Sequence, residues 1–199
     1  MADIARDAGV ANGTVYHYFE SKLTLFLYVI ENGLPRGEGP IPTANISAAR
    51  SEEELLAFLR KTMRKRARLA SVARLMEERD NIDIRAEISE IFTEWWEVLE
   101  GNRIQIAIIE QSAREFPELQ VLYDKYGRRY LLGQIEEYLS TRMERGAIRP
   151  LNSIPGMAFA MMESLSWFAW KQDSFNLTPR CPKEEVLPDL IATFSNGLE

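Results

Sequence analysis

The spacing that most constrains this chain lies near its start. A small residue, Ala5, stands four positions ahead of a glycine, Gly9, within "DIARDAGVANGTVYHYFESK". Two helices cross closely only where one carries a small side chain, because a larger one holds the rods apart. The sharp turn that must follow often needs positive φ, which glycine adopts without steric cost. Ile4, Ala8, Val10, Val15 and Tyr18 are spaced to flank that turn and point inward. The spacing predicts a helix-turn-helix, with short helices over 2–8 and 13–18 joined at Gly9. The second helix is then free to lie in a DNA major groove, presenting Asn12, Gly13, Thr14, Tyr16 and His17.

Beyond this corner nearly every segment has helical spacing. A third helix is expected over 22–32, and "NGLPRGEGPIPT", with three glycines and three prolines, stops it. Ser51 and Glu54 form a capping-box pair at the head of a long helix. Leu55, Leu59, Met63, Ala67 and Ala70 recur along one face of that helix. Further helices are expected over 84–100, 103–115 and 118–145, the last closed by Gly146 and stopped by Pro150. Asn152 or Ser153 can cap the next, with Pro155 in its first turn, and it runs to about Trp170. After "DSFNLTPRCP" a final helix carries Val186, Leu187, Leu190, Ile191, Phe194 and Leu198 as a stripe. No strand alternation of any length and no internal repeat occurs. The expectation is an all-α fold in two parts, residues 1–33 and 47–199.

Composition excludes several classes of function. One His, one Cys and no glycine-rich phosphate loop leave no basis for a catalytic triad, a multi-cysteine metal site or an enzyme, and no cofactor is implied. Cys181 reads as a thiol in a loop and points to a reducing, cytoplasmic setting. The most apolar stretch, "MAFAMMESLSWFAW", is too short for a bilayer span and carries Glu163, so no membrane partner is expected. Net charge is −6, so any affinity for nucleic acid must come from a local surface. The run "RKTMRKRAR" stacks Arg60, Arg64 and Arg68 at i, i+4 spacing, with Lys61 and Lys65 alongside. It reads as a solvated helix face or as an anion contact.

The stretch "DIARDAGVANGTVYHYFESKLTLF" resembles the DNA-binding signature of the TetR (tetracycline repressor) family, whose pattern runs "IA..AGVS.GT.Y.YF..K..L". The resemblance covers residues 3–26. It implies a homodimeric, ligand-responsive repressor whose two heads bind half-sites of a palindromic double-stranded operator. By the same resemblance Thr14 and Lys22 fall on phosphates, and Tyr16 and His17 on bases or backbone. Tyr18 would sit at the head's edge, although Tyr18 and Phe19 also suit packing. Two departures stand out. The family's serine or threonine after "GV" is Ala11 here, so Asn12 is expected to cap the second helix. Family members also carry a basic helix ahead of the point where this sequence starts. Without it, residues 1–33 hold Arg6 and Lys22 against Asp3, Asp7, Glu20 and Glu31. This leaves open an alternative, a dimeric small-molecule-binding protein that has lost DNA binding.

In the larger part, "RIQIAIIEQSA" is apolar nearly all round and suggests a central buried helix, yet it holds Gln105, Glu110 and Gln111. Glu110 must reach the surface, pair with an Arg such as Arg114, or face a cavity. Trp95, Trp96 and Phe92, with Met63, Met76 and Tyr123, have the composition of an apolar pocket for a hydrophobic effector, and equally of plain core. The ligand candidates are therefore Met63, Met76, Phe92, Trp96, Glu110 and Tyr123. Met157, Met161, Leu165 and Phe168, together with Leu187, Leu190, Ile191 and Phe194, offer more apolar surface than one chain easily covers. They are the candidates for dimerisation.

Overall fold

A computed structural model describes residues 1–32, 52–78, 82–112, 117–172 and 181–199. The described residues form helices α1 (Ala2–Asp7), α2 (Asn12–Tyr18), α3 (Lys22–Asn32), α4 (Glu52–Arg66), α5 (Ala70–Glu77) and α6 (Ile84–Gly101). These are followed by α7 (Arg103–Ser112), α8 (Pro117–Leu122), α9 (Arg129–Glu144), α10 (Ile154–Ser166) and α11 (Lys183–Leu198). Two π-helical segments extend the rods: Tyr123–Arg128 joins α8 to α9, and Trp167–Lys171 continues α10. No strand occurs among the described residues. The capping box at Ser51 and Glu54, the face position Leu55, and Arg114 fall on residues or side chains outside that description.

In the head, Ala5 is 2% exposed and packs with Val15 and Phe19, flanked by Tyr18, Leu25 and Tyr28. Gly9 has φ +68°. Its N–H donates to the Arg6 carbonyl, and the Val10 N–H donates back to Ala5 at 2.9 Å. Together these bonds close α1 as a Schellman turn. Ala8 and Val10 were expected to point inward, but both are exposed. The turn swings them to the outer side of the corner, where no described element covers them. Helix α2 begins with Asn12 as its first residue. Ala11 takes the extended cap position with no side-chain bond, so Asn12 is not the cap. Ser21 stands just ahead of α3, its hydroxyl accepting from the Thr24 N–H at 3.0 Å.

Helix α3 serves two cores. Leu25 and Tyr28 pack on the head, while Phe26 is buried among Leu59, Met63, Ile109, Leu119 and Leu122 of the body. The long helix expected from residue 51 stops at Arg66, and Ala70 belongs to the next one. Arg68 therefore lies in the connection rather than stacked above Arg64, although Arg60, Lys61, Arg64, Lys65 and Arg68 are all exposed as a solvated face would be. Side chains far away in sequence hold this break. Gln134 accepts from the Leu69 N–H and donates to the Ala67 carbonyl, and the Glu94 carboxylate accepts from the Ala70 and Ser71 N–H groups.

The main core gathers Ile88, Ile91, Phe92, Trp95, Ile135, Leu139, Met161 and Leu165 from α6, α9 and α10, with α11 laid over them. Within it, Arg142 (0% exposed) donates twice to Glu87 and once to the Leu75 carbonyl, and Tyr138 donates to Glu87 at 2.7 Å. Gly146, at φ +68°, ends α9 as expected, and Ser153 rather than Asn152 caps α10. Helix α7 is one-sided, not buried all round: only Gln105, Ile106 and Ile109 are buried.

Candidate nucleic-acid interface and ligand cavity

The turn at Gly9 leaves α2 with one face on Ala5 and the other open. Asn12, Gly13, Thr14, Tyr16 and His17 are exposed along that outer face; Tyr18 and Lys22 are half-buried at its end. The His17 ring meets Tyr18 edge-on, with centroids 5.2 Å apart. Exposed hydroxyl, amide and imidazole groups on one short rod can reach both phosphate oxygens and base edges. Arg6 is tied by Asp3 at 2.9 Å on the exposed side of α1.

A cavity of about 110 Å³ opens in the body between α4, α6, α7, α10 and the two π segments. Of the six ligand candidates, Met63, Glu110 and Tyr123 line it. Phe92 and Trp96 are buried in the main core, and Met76 packs at its edge, so these three lie away from the cavity. Trp95, which the sequence places in the apolar pocket but not among the six candidates, does line it; Met162, Trp170, Arg128, Glu163 and Lys171 line it without any signal in the sequence. Trp95 sits one position from the chosen Trp96, and the phase of α6 decides which of the two faces the cavity. Trp95 is fully buried, and its indole N–H has no partner among the described residues. A buried donor left unmade costs about 1–3 kcal/mol, which an acceptor in the cavity would recover.

The charged groups gather at one side. Glu163 accepts from Arg128 and from Lys171, each at 2.6 Å. Each cation is the last residue of a π segment, a widened turn of the kind that recurs at functional sites. Tyr123 lies close to Gly127, where an added Cβ would stand 3.2 Å from its ring and crowd it. Burial, then the nearby Glu110 carboxylate, push the Tyr123 phenol above its ordinary range. Glu110 lines the cavity and is exposed. Partial burial raises its carboxyl above the ordinary value, and Lys171 and Arg128 pull the other way.

The dimerisation candidates divide. Met161, Leu165 and Leu187 are buried within the chain's own core. Met157, Phe168, Leu190, Ile191 and Phe194 are half-buried against it, with Phe194 meeting Phe92 at 5.5 Å. The open apolar surface of this region is carried instead by Phe159 (46% exposed) and Trp167 (41%), eight residues apart. Among the described residues no helix is long and apolar enough to cross a membrane, and no His, Cys, Asp and Glu cluster could hold a metal.

Comparison with known proteins bears on the head and on the fold. Residues 1–29 match the family described as bacterial regulatory proteins, tetR family. Over 148 residues the chain is 27% identical to the fatty acid metabolism regulator protein of Bacillus subtilis, covering 71% of each. A solved TetR-family transcriptional regulator from Mesorhizobium loti superposes with a TM-score of 0.54 at 17% identity, over 98% of this chain and 82% of that one.

Proposed function

We propose that the chain is a regulator of the TetR family, acting as a homodimeric repressor that leaves its operator when a hydrophobic effector enters the body cavity. The observation that carries this reading is the double duty of two side chains. Met63 and Ile109 line the cavity and also pack on Phe26 of α3, the helix that carries the head. The cavity is smaller than the ~300–1,000 Å³ of pockets that hold drug-sized ligands. A ligand of that size must push these walls outward, and so binds one body state better than the other. That difference in affinity sets how far a ligand can shift the heads. The name of the Bacillus subtilis relative fits an effector with an acyl chain, as does the apolar lining.

Pairing of two copies through α10 and α11 is supported by the open apolar surface at Phe159 and Trp167. Two heads held about one DNA turn apart would then read a palindrome. A gel-shift experiment on the DNA flanking the protein's own coding region tests the reading. A specific complex that is lost in Tyr16→Ala and weakened in Thr14→Ala supports it. Equal retardation of all DNA by the parent and both variants contradicts it.

A further inference from the structure

We propose that Glu163 occupies the seat of an acidic group on the effector: a ligand carboxylate replaces the Glu163 carboxylate between Arg128 and Lys171. This rests on the cavity being the effector site and adds the chemical class of what it binds, an apolar chain ending in an anion.

Arg128 and Lys171 approach from two different π segments and converge on one carboxylate, Oε1 taking the guanidinium and Oε2 the ammonium. Two cations spaced to clasp a carboxylate will clasp any carboxylate that reaches the same point. All three residues line the cavity, and a molecule inside it therefore has access to that point. The charge inventory of the lining also suits an anion: Arg66, Arg128 and Lys171 stand against Glu110 and Glu163.

Exposure decides whether the exchange is possible. The side chains of the Glu163 pairs are 23–35% exposed, whereas Arg142 and Glu87 in the core are 0% and 7% exposed. Pairs solvated to this degree contribute less net free energy than buried ones and can be swapped, and Glu163, once released, can turn to water. A buried pair cannot be opened without stranding a charge. Exchanging one carboxylate for another leaves the charge count of the clasp unchanged. Burial of the ligand's apolar chain then tips the balance. Arg128 also lies over the Phe159 ring, 5.2 Å from its centroid, so a shift of the clasp reaches the exposed apolar face of α10.

Titration with decanoate and with decanol, read by tryptophan fluorescence, tests the exchange. Glu163→Gln removes the competing charge and should bind decanoate about 5- to 10-fold more tightly than the parent, with decanol unchanged. Arg128→Gln and Lys171→Gln should each lose a similar factor for decanoate alone. Thermal melting checks that each variant is folded. If Glu163→Gln does not fold, the two cation variants decide the matter by the same comparison. Decanoate and decanol responding alike in the folded variants would overturn the exchange while leaving the cavity as effector site. Binding of neither probe to the parent, over a range in which DNA is released by another hydrophobic compound, would overturn the acidic-ligand assignment alone. No cavity binding of any apolar compound would sink the effector reading and this inference with it.

Discussion

Gly9 holds φ +68° in the turn between α1 and α2, and a Cβ built there meets nothing within 4 Å. The cost of any side chain at this position is therefore backbone strain alone. Gly9→Ala should destabilise the head by about 1–2 kcal/mol, the penalty for a left-handed residue with a Cβ. Hydrogen exchange should show faster opening of α1 and α2 amides, while those of α6 and α9 are unchanged. The requirement for Ala5 and Gly9 was legible because the constraint is local, set by residues four apart. The fates of Ala8 and Val10 were not, since burial depends on what else covers the corner. Asn12 illustrates the same limit. Its cap propensity is real, but the chain enters α2 with Ala11 already extended, at ψ 144°, and places Asn12 one step inside.

Helix existence was legible along the described chain, and helix interruption was not. The segment from Arg66 to Ala70 holds no glycine or proline, yet α4 ends there. Gln134 and Glu94 supply the hydrogen bonds that the break would otherwise leave unmade, and neither is near in sequence. The π segments escaped notice for the same reason, and with them the clasp on Glu163, whose Arg128 partner is 35 residues away. Charged residues read one by one look like solvated surface; only the fold brings them together. The Glu87–Tyr138–Arg142 network, which ties α6 to α9, was equally hidden. Arg142→Met should cost about 3–5 kcal/mol, because it strands the Glu87 carboxylate in the core. Arg142→Met combined with Glu87→Leu should recover most of that loss. Denaturant midpoints of the two variants measure both.

At the scale of the whole molecule, α3 packs on both the head and the body, and the cavity touches the body side of that contact through Met63 and Ile109. Phe26 belongs to the contact but does not line the cavity. Phe26→Leu should therefore leave effector affinity within about twofold while reducing the coupling between effector and DNA by ~0.5–2 kcal/mol. Parallel titrations of fluorescence and of DNA release separate the two effects. Whatever effector is bound, coupling is reciprocal, so DNA must weaken effector binding by the same factor. The most direct measurement is the anisotropy of labelled flanking DNA held by the protein while decanoate is added. A fall to the value of free DNA over the range in which tryptophan fluorescence reports cavity binding is the predicted result. An anisotropy that stays at the bound value after the fluorescence change is complete would contradict the account.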